Sequence, residues 1–331
     1  MWLCITGRRK KQVRQSHNRK MDNGINNTGI LISVVICTYN RSAYIEDALE
    51  SLTSQTLARD QYEILIIDNM STDATAGICQ SFIDRHPGFD IRYYLEPNRG
   101  LSYARNRGIS ESTSPIICYM DDDAEAVPHY LSSLVEFFSA HPEAVGAGGR
   151  VVPKYPRGEE PVWMSRYLNG FIGKVDFGKE IKPFSGKMKF PAGCNMIYKK
   201  SILEKAGGFN TKLTFRSDDK FIFYQVLQIS RLIYYVPDAK VIHNIDEKRL
   251  GISNFRTLFL KTGNEEKIRV LGEAGSIGYL KKLFEYLIKC LGSCVIYCQF
   301  LLKGQTQKGR YLVLSQWYTL SGFLKKEVFV R

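Results

Sequence analysis

The chain lacks the features that mark zinc proteins, secreted proteins and polytopic membrane proteins. Its eight cysteines include no CxxC pair, which argues against a zinc site. No apolar segment follows the basic N-terminus, so we expect no signal peptide, reduced thiols and a cytoplasmic location. Of the 331 residues, 44% are hydrophobic and 24% are charged, which is typical of a globular protein.

Acidic residues are scarce at both ends of the chain. Residues 1–20 contain seven Lys or Arg and no acid, and residues 248–331 contain 15 basic and 5 acidic residues. Residues 21–247 contain 24 basic and 28 acidic residues, so the net charge of +13 arises from the ends. A nucleic-acid enzyme more often has a basic body. We therefore expect no nucleic-acid partner, and assign the surplus charge to an anionic membrane surface.

Apolar runs alternate with segments of helical periodicity from residue 31 onward. Four short runs are typical of strands buried on both faces, namely 32–37, 63–68, 91–96 and 116–120. Strands that alternate with helices predict an α/β fold with a parallel sheet and right-handed crossovers.

A second set of elements is predicted between residues 145 and 247. We expect strands over 145–152, 190–198, 232–237 and 239–243, and helices over 200–206 and 217–229. Residues 153–190 are predicted to form a long loop, and residues beyond 253 are helical in character. The predicted organisation is a basic disordered arm (1–29), an α/β domain (30–250) and a helical C-terminal region (251–331).

Polar clusters follow three of the predicted strands. They are Cys37-Thr38-Tyr39-Asn40, Asp68-Asn69 and Asp121-Asp122-Asp123, and the carboxyl ends of parallel strands are where ligands bind. Asp121 and Asp123 point to the same side if the strand continues, and such a pair can bind a hard divalent cation. The alternative is a solvated acidic turn. Ser217-Asp218-Asp219 is a further acidic cluster, for which the alternative is a helix cap.

Six sequence motifs occur in a characteristic order. Each motif alone is weak evidence for a protein family, but the six in this order are specific. They are SVVICTYNR (33–41), ILIIDNMSTDAT (64–75), PNRGLSYARNRGI (97–109), ICYMDDDAEAVP (117–128), AGCNMIYKKSILEKAGGF (192–209) and RSDDKFI (216–222). Together they resemble the inverting nucleotide-sugar glycosyltransferases of family 2. The resemblance implies the GT-A fold, a Rossmann-like and mostly parallel sheet flanked by helices.

The resemblance implies a set of donor-binding residues. For the nucleotide these are Thr38, Tyr39, Asn40, Asp68, Asn69, Arg99, Arg105 and Asp122. For a Mg²⁺ or Mn²⁺ ion that bridges the donor diphosphate they are Asp121, Asp123 and His243. Many family members have a second acid where this chain has Asn69. The departure leaves the nucleoside open, with a UDP-sugar as the expected donor.

The resemblance also implies the chemistry. Asp219 takes the position of the general base that deprotonates the acceptor hydroxyl, and Asp218 replaces the usual Glu. A single displacement inverts the anomeric centre, while the metal stabilises the departing diphosphate. The expected acceptor is a glycan or glycolipid in cell-surface polysaccharide biosynthesis. The alternatives are a sugar nucleotidyltransferase, which usually has a Gly-rich phosphate loop that this chain lacks, and a non-catalytic membrane-associated binding module.

Two apolar segments remain open to more than one interpretation. Residues 153–190 contain aromatic side chains that either bind the acceptor or pack as a lid: Trp163, Tyr167, Phe171, Phe177 and Phe184. Residues 280–302 predict an interfacial helix, since the uninterrupted run 290–302 is short of the roughly 20 residues that span a bilayer. This places the protein peripherally on the inner face of the cell membrane. The alternative is burial against the catalytic domain or, in a homodimer, against a second chain.

Overall fold

The computed structural model describes residues 29–185, 190–213 and 218–325. The predicted basic arm, except for its last residue, and the cap residue Ser217 lie outside the described residues.

Four parallel strands form the first part of the sheet. They are β1 (Ile32–Thr38), β2 (Tyr62–Asp68), β3 (Ile91–Leu95) and β4 (Ile116–Asp121), in the order β3-β2-β1-β4. Alternate residues of each strand point to opposite faces, so Val34 and Val35 belong to two different hydrophobic clusters. Burial on both faces explains why these strands are continuous apolar runs in the sequence.

Helices cover both faces of this parallel part. They are α1 (Ile45–Thr53), α2 (Thr75–Arg85) and α3 (Leu101–Glu111). Asp73 serves the start of α2, because its Oδ1 accepts a hydrogen bond from the backbone N–H of Thr75 at 3.0 Å. α1 packs with β1 in one cluster, and Ala104 and Ile109 of α3 pack with Val35 in the other.

The second part of the sheet is antiparallel or mixed. It contains β5 (Ala124–Ala126), β6 (Gly146–Lys154), β7 (Lys182–Pro183), β8 (Asn195–Lys199) and β9 (Ile233–Asn244). β8 runs antiparallel to both β4 and β6, β9 pairs in parallel with β6, and β5 and β7 pair antiparallel with β9. The α/β prediction is confirmed, with a sheet that is mixed rather than parallel beyond β4.

Strand β9 corrects the prediction of two short strands at 232–237 and 239–243. The segment forms one strand, and its register against β6 shifts between Gly149 and Arg150 to accommodate the residues around Pro237. The backbones approach so closely there that a Cβ on Gly149 would lie 1.7 Å from the Ala239 carbonyl oxygen. Proline has no N–H to donate between strands and is tolerated inside a strand only at a bulge or an edge. The sequence pattern therefore predicted two strands.

The remaining helices of this domain follow β5, β6, β8 or β9 in the chain. They are α4 (Tyr130–Ala140), a 3₁₀ helix (Arg166–Phe171), α5 (Lys200–Lys205), α6 (Asp218–Ile229) and α7 (Glu247–Leu250). α5 and α6 match the predicted helices, whereas α4, the 3₁₀ helix and the short strands β5 and β7 were not predicted.

The C-terminal region is helical, as predicted, but its helices fold back on one another. α8 (Ile252–Leu302) is interrupted at Gly275, which has φ 59°, and α9 is Thr306–Leu324. The chain reverses near Gly275, because Lys282 in the second half of α8 (276–302) pairs with Glu266 in the first half (252–274). α9 contacts both halves: Gly322 packs against the Leu260 backbone and Phe323 stacks on Tyr279.

One helix among the described residues, Ala274–Leu302, is long and apolar enough to cross a membrane by length and composition. Glu285 and Lys289 interrupt the apolar run in the sequence, but they form an ion pair one helical turn apart and leave the helix unbroken. Length therefore does not distinguish a helix that spans a bilayer from one that lies on its surface.

Candidate active site

Two carboxylates and an imidazole converge where β4 and β9 end. Asp121 is the last residue of β4, and Asp123 precedes β5, which pairs with β9 so that Ala124 lies opposite His243. This pairing turns the acidic triplet toward the end of β9. Asp121, Asp123 and His243 offer ligand atoms that all lie within 4.8 Å of one another. The structure thus brings the three predicted metal ligands together.

The hydrogen bonding of His243 suits a metal ligand. Its Nδ1 lies 3.1 Å from the carbonyl oxygen of Ile172, which can only accept, so Nδ1 carries the proton. Nε2 faces Asp123 Oδ1 at 3.2 Å and the Arg249 guanidinium at 3.5 Å. With the proton on Nδ1, Nε2 has a lone pair that faces Asp123 Oδ1, which itself has no hydrogen-bond partner among the described residues, so a cation between the two atoms would bind both. Carboxylate oxygens with one imidazole nitrogen fit Mg²⁺ or Mn²⁺.

Arg41 partly balances the acidic triplet. Its guanidinium lies 3.4 Å from Asp122 and 3.6 Å from Asp123. Burial raises the pKa of Asp122 to about 8, and the neighbouring Asp123 adds to this, while Arg41 opposes it. Burial also acts to raise the pKa of Asp123, but His243 and Arg41 hold it below its ordinary value. Excess negative charge in a buried rim favours a divalent cation.

Arg105 is a buried counter-ion next to the predicted metal ligand Asp121. It forms an ion pair with Asp218 at the start of α6, and its guanidinium lies 3.6 Å from Asp121. It also donates to the Gly193 carbonyl at 3.3 Å, and a Cβ on Gly193 would lie 2.8 Å from the guanidinium. Burial acts to lower the pKa of Arg105, but Asp218 and Asp121 raise it above its ordinary value. Arg105 thereby joins α3, β4 and α6.

The two acids at the start of α6 differ in environment. Asp218 is buried and paired with Arg105, whereas Asp219 is half-buried. Asp219 Oδ1 accepts the backbone N–H of Lys220 at 2.7 Å. The buried Asp218–Arg105 pair therefore fixes the start of α6, and the partly accessible carboxylate of Asp219 is next to it.

The other predicted donor-binding residues line the adjacent rim formed by β1 and β2. Thr38 is buried next to Asp122, and Tyr39 is 45% exposed with the Arg99 guanidinium 5.9 Å from its ring centroid. Asp68 accepts from the Tyr93 hydroxyl at 2.6 Å and the Ser71 backbone N–H at 2.8 Å. Tyr39 and Arg99 thus present their side chains to solvent at the rim.

Two of the predicted nucleotide residues hold loops in the described structure. The Asn69 amide donates to the carbonyls of Glu96 and Asn98 and accepts the Gly100 N–H at 2.7 Å. Asn40 has φ 54°, a conformation that asparagine tolerates better than most residues, and its Oδ1 accepts the Thr72 N–H. Their role in donor binding stays a prediction.

Packing explains most of the aromatic residues in 153–190. Trp163, Phe171 and Phe184 are buried, and Trp163 stacks on Tyr311 of α9 at 4.5 Å between ring centroids. Tyr167 is exposed. The segment therefore joins the α/β domain to the C-terminal helices.

Sequence reasoning missed Arg41 and Arg249, which face the acidic triplet and His243. Arg41 directly follows the predicted rim residues 37–40, so its position was a usable signal. Arg249 lies six residues after His243, and α7 brings it back to the site, where it also donates to the Phe171 carbonyl at 3.3 Å.

Comparisons with known proteins agree with this geometry. Residues 33–207 match the family model described as glycosyl transferase family 2. The chain is 27% identical over 217 residues to the glucosyl-dolichyl phosphate glucuronosyltransferase of Haloferax volcanii, which covers 64% of this chain and 66% of that protein.

Two solved structures share the fold. The first is a Pyrobaculum calidifontis mannosyltransferase in complex with GDP-Man and Mn²⁺ (TM-score 0.58, 18% identity, covering 87% of this chain and 86% of that chain). The second is TarS 1–349 of S. aureus in complex with UDP (TM-score 0.52, 15% identity, covering 88% and 90%). The predicted GT-A fold is confirmed.

Proposed function

Because the chain belongs to glycosyl transferase family 2, we propose that it transfers a sugar from a nucleoside diphosphate to an acceptor hydroxyl. The observation that carries the proposal is the convergence of Asp121, Asp123 and His243 at the carboxyl edge of the sheet. Arg105 connects these ligands to the start of α6, because it pairs with Asp218 and also approaches Asp121. The half-buried Asp219 directly follows Asp218.

Each charged group has a part in this proposal. Asp121, Asp123 and His243 hold Mg²⁺ or Mn²⁺, which when bound supplies positive charge for the donor diphosphate. Tyr39, Arg99, Asp68 and the neighbouring polar residues of the rim bind the nucleoside, with a UDP-sugar as the proposed donor. Arg105 holds Asp218 and Asp121 in place.

Asp219 is the proposed general base. Its carboxylate accepts the proton of the acceptor hydroxyl as the oxygen attacks the anomeric carbon from the side opposite the diphosphate. One displacement at that carbon inverts its configuration. The partial exposure of Asp219 leaves it accessible to an acceptor, while the buried Asp218–Arg105 pair fixes the start of its helix.

The proposed acceptor is a lipid-linked saccharide at a membrane surface. The second half of α8 carries an apolar stripe, which we define as the exposed residues Ile277, Leu280, Phe284, Leu287, Ile288, Leu291, Val295 and Leu302. The spacing of three and four residues places them on one helix face, and α9 packs elsewhere. A one-sided stripe favours a helix that lies in the membrane interface, and we propose that this is the cytoplasmic face.

Turnover of nucleotide sugars by the purified protein tests this function. With Mn²⁺, we expect release of the nucleoside diphosphate from one donor in a panel of UDP-, GDP- and dTDP-sugars, and loss of release with EDTA. NMR of the transfer product should show the anomeric configuration opposite to that of the donor. A product that retains configuration would contradict single displacement, and binding without turnover would indicate a binding module.

A further inference from the structure

A second cleft lies between the 3₁₀ helix and the C-terminal helices. It measures about 310 Å³ and is lined by Ser165, Arg166, Tyr167, Ile296, Gln299, Phe300, Lys303 and Lys308. The lining consists of three cations, two neutral polar residues and three apolar or aromatic side chains. No acid is among these residues, and the sequence contains no Asp or Glu between Glu285 and Glu327.

The polar groups of the cleft lack partners that would satisfy them. Neither Lys303 nor Lys308 forms an ion pair within the part of the chain that the structure describes, and Arg166 contacts only the Tyr167 hydroxyl and ring. The Ser165 residue is 8% exposed, and its buried hydroxyl has no hydrogen-bond partner among the described residues. Three cations without a carboxylate in the same cleft favour an anion with several acceptor oxygens.

The apolar side of the cleft adjoins the apolar stripe. Ile296 and Phe300 of α8 lie on a helix face next to that of Leu291, Val295 and Leu302, and Lys303 directly follows the helix. A ligand whose lipid chain lies along the stripe can therefore place an anionic head in the cleft. Phe300 also contacts the Tyr167 ring edge-on at 6.4 Å between centroids, which closes the cleft on that side.

The 3₁₀ helix connects the cleft to the metal site. It begins at Arg166 in the cleft, and the Ile172 carbonyl just beyond its end accepts the His243 Nδ1–H. A 3₁₀ helix rises about 2 Å per residue, so the cleft lies roughly 12 Å from the metal site along this helix. That separation leaves room for an acceptor saccharide between the two sites.

We propose that this cleft binds the phosphate of a lipid-phosphate acceptor, with Arg166, Lys303 and Lys308 on the phosphate and Ile296 and Phe300 on the first carbons of the lipid chain. The proposal rests on the transferase function above and names the part of the acceptor that the chain recognises.

Binding of citronellyl phosphate, a soluble two-isoprene phosphate, tests the cleft without donor or metal. By calorimetry we expect wild type to bind it at least roughly tenfold more tightly than inorganic phosphate or glycerol 3-phosphate, because the latter two lack the isoprene chain. Equal binding of all three would overturn the lipid assignment. This binding does not depend on turnover, so its failure and the failure of the proposed function are distinguishable.

The variant Lys303→Gln with Lys308→Gln should weaken citronellyl phosphate binding at least roughly tenfold, since two charge-assisted contacts are lost. Lys281→Gln is the matched control, because Lys281 is an exposed cation on the same half of α8 but outside the cleft. Equal loss in the control variant would show that general positive charge, rather than the cleft, attracts the phosphate, and would overturn the proposal. The uncharged alcohol citronellol should show no difference between the variants.

Discussion

The α/β domain and the C-terminal helical region place their charged and apolar side chains in opposite ways. In the α/β domain, buried ion pairs gather at one rim, where Arg105 pairs with Asp218 and Arg41 lies beside Asp122. In the C-terminal region, large apolar side chains face outward, and Leu302 is 91% exposed. Charges are costly to bury and apolar groups are costly to expose, so each arrangement indicates a partner. For the rim the proposed partner is a cation with an anionic donor, and for the stripe the proposed partner is a membrane.

The largest expected effect comes from the rim. Asp219→Asn removes the proposed base and should lower the transfer rate about 10²–10⁴-fold, measured with saturating donor and Mn²⁺. Asp218→Asn should instead lower the thermal unfolding midpoint, because it breaks the buried pair with Arg105. Full activity in Asp219→Asn would remove the assignment of the base.

Arg105→Met tests the buried charge directly. Loss of one partner from a buried pair typically costs about 3–5 kcal/mol, so we expect the free energy of unfolding in urea to fall by that amount. Arg107→Met is the matched control on the same helix, since Arg107 forms a more exposed pair with Glu111 and should cost less than about 1 kcal/mol. Equal effects would show that the Arg105 pairs contribute no more than surface pairs.

Glu266 is an exception to this difference between the two regions, because it is a buried charged residue in the C-terminal region. It pairs with Lys220 of α6, Arg269 and Lys282. Burial acts to raise the pKa of Glu266, but Arg269 and the two lysines hold it well below its ordinary value. The carboxylate therefore stabilises the fold above its unfolded pKa of about 4.3, and this contribution declines as the pH falls.

Glu266→Gln should consequently lower the free energy of unfolding by about 1–3 kcal/mol at pH 7. The difference from wild type should narrow as the pH falls from 5 to 3, because Glu266 of the unfolded wild-type chain becomes protonated in this range while the folded carboxylate stays ionised. A difference that stays constant across this pH range would contradict the ionic role of Glu266.

The smallest expected effect concerns the apolar stripe. Leu291→Gln should weaken binding to anionic vesicles several-fold to about tenfold in a sedimentation assay, since one large apolar side chain no longer enters the bilayer. Val162→Gln is the control, because Val162 in the α/β domain has the same 71% exposure as Leu291. If Leu291→Gln instead converts a dimer to a monomer, the stripe is a contact between two chains.

Sequence reasoning succeeded where local pattern and topology agree. The strands β1 to β4 are continuous apolar runs, and the rule that ligands bind at strand ends selected Asp121 and Asp123 before the structure located them. His243 joined them through the family resemblance. β9 was predicted as two strands because Pro237 breaks the pattern, and only the bulge opposite Gly149 reconciles it with one strand.

The sequence did not determine how side chains are used once loops fold. Asn40 and Asn69 stay predicted nucleotide contacts, but the sequence did not show that their amides also hold backbone groups of neighbouring loops. Arg41 and Arg249 approach the site from segments whose final positions depend on tertiary packing. The chain reversal at Gly275 could not be predicted either. Both halves of α8 have the same helical pattern, and a single glycine inside such a pattern does not by itself indicate a break.

The central claim is that the edge formed by β4 and β9 holds a metal ion together with a nucleoside diphosphate. Thermal unfolding with Mn²⁺, UDP, and both together measures it most directly, because a ligand that binds the folded state raises its stability by mass action. We predict that wild type is stabilised most by the two together, and that Asp123→Asn loses this joint gain. An unchanged midpoint in wild type with Mn²⁺ and each of UDP, GDP and dTDP would contradict the account.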